Sequence, residues 1–206
     1  MKVFPTLLAT LFLFTAQYEL TARSLSADSA KTEKTGPSSR RSPLVISEVM
    51  YHPATREDGA NLEFIEIYNS QPWWEELGNF RIDGDVRFTF PADARIDKLG
   101  YVVIAADPEA VKKAYGLEQV FGPFTGRLAN SGGRLRLRNN LDAILFEVDY
   151  ETRAPWPSSA DGAGHSLALG RPSYGEMDVR AWTQSDTIGG SPGRADTLDD
   201  EPLRPL

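Results

Sequence analysis

Glu48 in LVISEVM and Glu66 in LEFIEIYN are the two residues of this chain whose types and setting come closest to acid–base chemistry. Facing each other across neighbouring strands, they would stand at about the 5 Å separation that a retaining glycosidase needs between its two carboxyls. A flat strand face, however, offers no pocket to exclude water and raise a carboxyl pKa, so the pair reads first as structural and only then as a hydrolase centre. Glu63 cannot help Glu66, because residues three apart on a strand point to opposite faces.

The other chemistry-bearing residues are few. The sequence holds 2 histidines and no cysteine, which removes disulfides, Cys-ligated zinc and iron–sulfur clusters. His165 adjoins Ser166, and consecutive strand residues point apart, so the two do not form a nucleophile and its base. His52 precedes Pro53, where the chain turns, and a single imidazole near Glu48 falls short of a metal site. Asp58, Asp83, Asp85 and Asp161 sit beside glycines, but Asp-Gly is first a turn signal and the spacing is not that of an EF-hand. The expectation is no catalytic residue, no metal and no cofactor.

Trp73 and Trp74, side by side in SQPWWEEL, are a different case. Paired indoles left in water suit stacking on sugar rings or anchoring a partner, and these two are the candidate binding residues. The competing reading folds them back as a plug for one end of the domain. Adjacent residues of an extended segment point opposite ways, which predicts one buried indole and one exposed. Trp156, between Pro155 and Pro157, reads as a packing residue.

These residues must be carried by strands. Short apolar runs separated by 17 glycines and 14 prolines indicate tight connections, and the period in LVISEVMYH and LEFIEIYN is two. YVVIAA is a continuous apolar run, predicted to be a fully buried central strand. One short crossover helix follows it: Asp107 caps, Pro108 opens the first turn, Val111 and Tyr115 share a face, and Gly116 ends it. In RLRLRNNLDAILFEVDY, a turn at Asn139 to Asp142 would set Leu135 against Phe146, Leu137 against Ile144 and Arg134 against Glu147. Arg134, Arg136 and Arg138 could otherwise form a phosphate-binding stripe, but Glu147 and Asp149 stand where they would neutralise it. The formal net charge of −7 also disfavours nucleic acid, whose binding requires a basic surface.

The ends read differently from the middle. Lys2 and the apolar stretch Val3 to Ala16 form a signal-peptide pattern, too short to span a bilayer and cleavable after Ala16 or Ala22. The stretch SADSAKTEKTGPSSRRSP is too polar to fold and reads as a flexible tether. GGSPGRADTLDDEPLRPL has the same composition and reads the same way, leaving the folded module between about Leu44 and Ser191.

Taken in order, LVISEVMYHP, GANLEFIEIYN, EELGNFRIDGDVRFTFP, LGYVVIAADPEAVKKAYG, GRLANSGGRLRLRN and DYETRAPWPSSADGAGHSLAL resemble the exported bacterial form of the lamin-tail domain. The closing WTQSDTIGGSPGRAD is similar to the Trp and Gly-Ser/Thr-Pro-Gly ending of that form. Phe80 departs from it where a Trp is usual, and NNLD replaces a turn that contains glycine. The resemblance implies an all-β, immunoglobulin-like β-sandwich with one short crossover helix, and no catalytic residues. With the reading of the ends, the expected organisation is signal peptide 1–22, linker 23–43, lamin-tail-like sandwich 44–193 and disordered tail 194–206. No heptads are present, so filament building is not carried over.

The function expected is a non-catalytic binding or tethering module of an exported protein, secreted or in the cell envelope, periplasmic or extracellular, with no membrane span once the signal is removed. Its partner would be an envelope or extracellular protein or a polysaccharide. The alternatives are a carbohydrate-binding module using Trp73 and Trp74, and a hydrolase using Glu48 and Glu66.

Overall fold

The computed structural model describes residues 42–196. The signal peptide expected at 1–22, nearly all of the linker and the last ten residues of the tail lie outside the described residues. Twelve strands and one helix follow in order: β1 Leu44–Met50, β2 Phe64–Asn69, β3 Glu75–Glu76, β4 Arg81–Gly84, β5 Val86–Thr89, β6 Arg95–Ile96, β7 Tyr101–Ala105, α1 Pro108–Tyr115, β8 Thr125–Gly126, β9 Gly133–Arg138, β10 Ile144–Tyr150, β11 Leu167–Leu169 and β12 Trp182–Gln184. No helix among them is long and apolar enough to cross a membrane.

Two antiparallel five-stranded sheets, in the orders β12-β11-β1-β2-β7 and β10-β9-β4-β5-β8, form an immunoglobulin-like sandwich. β3 and β6 pair separately. The core lies between the sheets, where Ile46, Ile65, Ile67 and Ile104 of the first join Ile82, Leu135, Leu137, Phe146 and Val148 of the second in one buried cluster. Each such side chain contributes about 1.5–3 kcal/mol on burial. The opposite face of the first sheet is also covered, since Met50, Phe64, Val103 and Ala105 pack beneath Val111 of α1.

The helix is built as its sequence predicts. Asp107 accepts from the Ala110 N–H, Pro108 stands in the first turn, and Gly116 closes the helix in the left-handed region. Trp156 is buried in the core, as expected of a packing residue.

YVVIAA is fully buried only at Val103, Ile104 and Ala105 and is not central, which corrects the expectation on both counts. β7 is an edge strand of its sheet; the sheet's middle strand is β1, buried along its whole length. The apolar run in β7 has another cause. Its two faces meet the core and α1, while its free edge is taken by Phe121, which exchanges backbone hydrogen bonds with Val103 (2.8 Å) and Ala105 (2.9 Å). An edge masked in this way has the composition of an interior strand.

The β9–β10 register is also corrected. Leu137 faces Phe146, Leu135 faces Val148, Arg136 faces Glu147 and Arg134 faces Asp149, two residues away from the predicted pairing. Two causes add together. The connection is five residues long, with Arg138 paired to Ile144, and the ladder shifts again between Ile144 and Phe146. The Asn139 side chain accepts from the N–H groups of Leu141 (3.0 Å) and Ala143 (2.8 Å), and Asp142 takes the left-handed φ of 69°. Asp tolerates that conformation better than most residues, which lets NNLD do without a glycine.

Candidate functional site

The carboxylates of Glu48 and Glu66 are brought together by an irregularity in β1. Ile46 pairs with Ile67 on the core face, and the ladder then shifts by one residue, so that Glu48 pairs with Glu66 on the outer face. Ser47 is the extra residue of this bulge, and its hydroxyl donates to Glu66 Oε1 at 2.6 Å. Without the shift, Ile46 and Glu48 would share one face, and core packing would exclude a carboxylate there.

Both glutamates are buried, Glu48 at 2% exposure and Glu66 at 1%. What covers them is the segment Gly189–Gly193, which contradicts the flexible reading of GGSPGRAD. The Ser191 N–H donates to Glu48 Oε1 at 2.9 Å and the Ser191 hydroxyl to Oε2 at 3.2 Å, while the Gly193 N–H donates to Glu66 Oε2 at 2.6 Å. The Ser166 hydroxyl adds a further bond to Glu48 Oε1. Composition misled here because a glycine-rich, polar segment is disordered only when nothing offers its backbone acceptors. Gly190 must be glycine: its φ is +80°, and a Cβ there would lie 2.1 Å from Glu48 Oε1.

Burial raises the Glu48 pKa from the ordinary 4.5 to about 7, against the lowering effect of its hydroxyl and amide donors. Burial, reinforced by the facing Glu48, pushes Glu66 well above the usual range. Two like charges this close in a dry setting do not both ionise readily, so the pair retains a proton near neutrality. Such a raised pKa is what a general acid needs, but the covering segment leaves no opening at these two carboxyls for a substrate. The remaining candidates lie elsewhere. His52 Nδ1 is 2.7 Å from Asp161 Oδ1, and His165 Nδ1 is 2.8 Å from the Ser185 carbonyl. Glu63 Oε2 accepts from the Leu128 N–H at 3.2 Å. No group of three or more His, Asp or Glu side chains among the described residues is arranged to hold a metal.

The aspartates that could suggest calcium are engaged by the protein. Asp58 binds the Arg56 guanidinium through both oxygens, Asp85 accepts from the Arg134 N–H at 3.2 Å and the Tyr150 hydroxyl at 3.3 Å, and Asp161 holds His52. Asp83 receives Arg136 Nε and Arg138 Nε, each at 2.5 Å. Arg134 is met by both oxygens of Asp149, at 2.5 and 2.6 Å, with Glu147 only at 3.9 Å. The arginine stripe is therefore neutralised, by Asp149 as expected and by Asp83 in place of Glu147.

Trp73 and Trp74 are both exposed, at 56% and 50%, so neither is a plug and the expectation of one buried indole is corrected. The segment ahead of them is bent and not extended, and strand alternation does not apply to it. Their loop is nonetheless pinned, by a residue that the sequence reading passed over. Asn69, fully buried at the end of β2, donates from Nδ2 to the carbonyls of Trp73 (2.8 Å) and Asp97 (3.0 Å) and accepts at Oδ1 from the Gln71 N–H (3.0 Å). An asparagine just before a turn was the available signal. Trp73 Nε1 donates to Glu75 Oε1 at 3.0 Å, and the Arg95 guanidinium lies over Trp74, 4.6 Å from the ring centroid. Phe80, the departure from Trp, is half-buried and packs on the core.

The fold and these contacts define a class: an immunoglobulin-like β-sandwich whose facing carboxyls are sealed and whose exposed aromatic residues are held at one end. The family model described as Lamin Tail Domain matches residues 37–184, well over half of the chain. The chain belongs to the lamin tail domain family, whose members are generally non-catalytic interaction modules. No curated protein matches it.

Proposed function

We propose that this chain is a non-catalytic tethering module of an exported protein and that it engages its partner through the Trp73–Trp74 end. The observation that carries this reading is the pinned loop: Asn69 fixes the backbone on which two half-exposed indoles stand. Indoles that remain ordered while exposed lose little entropy on binding, which is the usual setting of an interface hot spot. Family membership favours interaction over catalysis, and the sealing of Glu48 and Glu66 weighs against the hydrolase alternative. The signal-peptide pattern supports export to the envelope or beyond.

The test is retention of the full chain on envelope material from its own cell, with and without Trp73→Ala and Trp74→Ala together. Both side chains are exposed, so the double variant is expected to change stability by less than about 1 kcal/mol while losing retention. Unchanged retention by a folded double variant would overturn the reading. Release of the retained, unaltered chain by a soluble neutral polysaccharide would favour the carbohydrate-binding alternative.

A further inference from the structure

Beside the paired indoles is a cavity of about 440 Å³, lined by Trp74, Glu75, Glu76, Gly78, Phe80 and Asn140. Two aromatic side chains form part of its wall, and two carboxylates and an amide supply acceptors. No lysine or arginine lines it. Glu75 spends one oxygen on the Trp73 indole N–H, while Glu76 forms no ion pair among the described residues. Arg95, the cross-strand neighbour of Glu76, lies outside the cavity with its guanidinium over the Trp74 ring, the geometry of a cation–π contact.

Two exposed leucines adjoin the segments that form the cavity, among charged neighbours that include Arg95 and Lys98. Leu141, 84% exposed, follows Asn140 at the tip of the β9–β10 connection. Leu99, 46% exposed, is tied to the Trp loop by its N–H, which donates to the Gln71 carbonyl at 3.0 Å. A sugar platform is flanked by groups that bond hydroxyls, whereas leucines beside aromatics and carboxylates match a protein surface.

We propose that this cavity receives a cationic side chain, a lysine or arginine, from a protein partner, with Trp74 and Phe80 contacting its stem and Glu76 its charge. This rests on the reading of the Trp73–Trp74 end as the contact surface and names the chemistry that the end would recognise. An ammonium or guanidinium placed against an indole and a carboxylate gains both a cation–π contact and a charge-assisted hydrogen bond.

The probe is Nα-acetyl-lysine methylamide, compared with its uncharged counterpart Nα-acetyl-norleucine methylamide. Each is titrated into the full chain while the indole N–H resonances of Trp73 and Trp74 are followed. The lysine probe is expected to shift the Trp74 signal and to bind at least about fivefold more tightly than norleucine, an advantage that added salt reduces. Glu76→Gln should remove that advantage and leave norleucine binding unchanged, which a folding defect would not do. Equal responses to the two probes, or no response to either, would overturn the proposal. So would a Trp74 shift with a neutral oligosaccharide and none with lysine. If the double tryptophan variant loses envelope retention while the lysine probe has no effect, the contact surface stands and the cationic ligand falls. If that variant keeps its retention, the broader reading falls first.

Discussion

Glu48 and Glu66 stand directly opposite each other on adjacent antiparallel strands, and the two ends of one short segment, Ser191 and Gly193, each give a backbone N–H to one of them. Two carboxyls whose pKa values burial raises are thereby enclosed by the last part of the domain. Asp196, whose own carboxyl is raised by burial, adds a further negative charge to this neighbourhood.

Stability should therefore fall as pH rises. Because the Glu48 pKa is raised by folding, the folded protein keeps a proton that the unfolded chain gives up. That contribution is complete below the ordinary glutamate value of 4.5 and is lost as pH passes through about 7. Each unit of raised pKa corresponds to about 1.4 kcal/mol, so the loss is on the order of 3 kcal/mol. Thermal melts between about pH 4 and pH 8 should show the decline, and Glu48→Gln should lessen it while the buried Glu66 maintains a part. A stability that rises across this window would contradict the pair as described.

Gly190→Ala tests the closeness of the covering segment. Its Cβ would collide with Glu48 Oε1 at 2.1 Å and would also be held at a φ of +80°, for a combined cost of about 2–4 kcal/mol. Gly59→Ala is the control. Gly59 has a φ of +68° with nothing near its Cβ position, so it should lose only the conformational share, about 1–2 kcal/mol. Denaturant unfolding of both variants separates the collision from the backbone strain.

The third expectation concerns where the domain ends. Deleting residues from 188 onward removes the donors to Glu48 and Glu66, although the matched family region stops at residue 184. The shortened protein should melt at lower temperature and lose most of the pH dependence, since water then reaches both carboxyls. Ending the chain at residue 196 should preserve both properties. Equal melting of the two forms would mean that the covering segment adds nothing.

Asn69→Ala should unpin the tryptophan loop. The change leaves the Trp73 and Asp97 carbonyls and the Gln71 N–H without their partner, at a cost of about 2–3 kcal/mol. Hydrogen exchange at residues 70–74 should quicken well before the β1 amides do. Uniform acceleration across the domain would indicate global destabilisation in place of a freed loop.

The sequence carried the faces of the strands better than their partners. In the β9–β10 hairpin, a longer connection and a bulge each move the register by one residue, and two such slips restore every side chain to its original face. Alternation is blind to that change. The helix was legible to the residue because Asp107, Pro108 and Gly116 act within a few positions of one another. YVVIAA showed the burial of Val103, Ile104 and Ala105 but not its place at an edge, because Phe121 covers it from another part of the chain. For the same reason the pairing of Glu48 with Glu66 could be suspected from the strands, whereas their enclosure depends on a segment more than a hundred residues away.

The position of β1 has a mechanical consequence. It is the first strand of the domain along the chain and the middle strand of its sheet, joined to β11 on one side and β2 on the other. A pull exerted through the polar stretch ahead of residue 44 would not peel away an outer strand. It would load two hydrogen-bonded ladders at once, with the Ser191 and Gly193 bonds to Glu48 and Glu66 as a third restraint. For a module anchored by its front end, force enters the structure where it has the most bonds to break before anything opens.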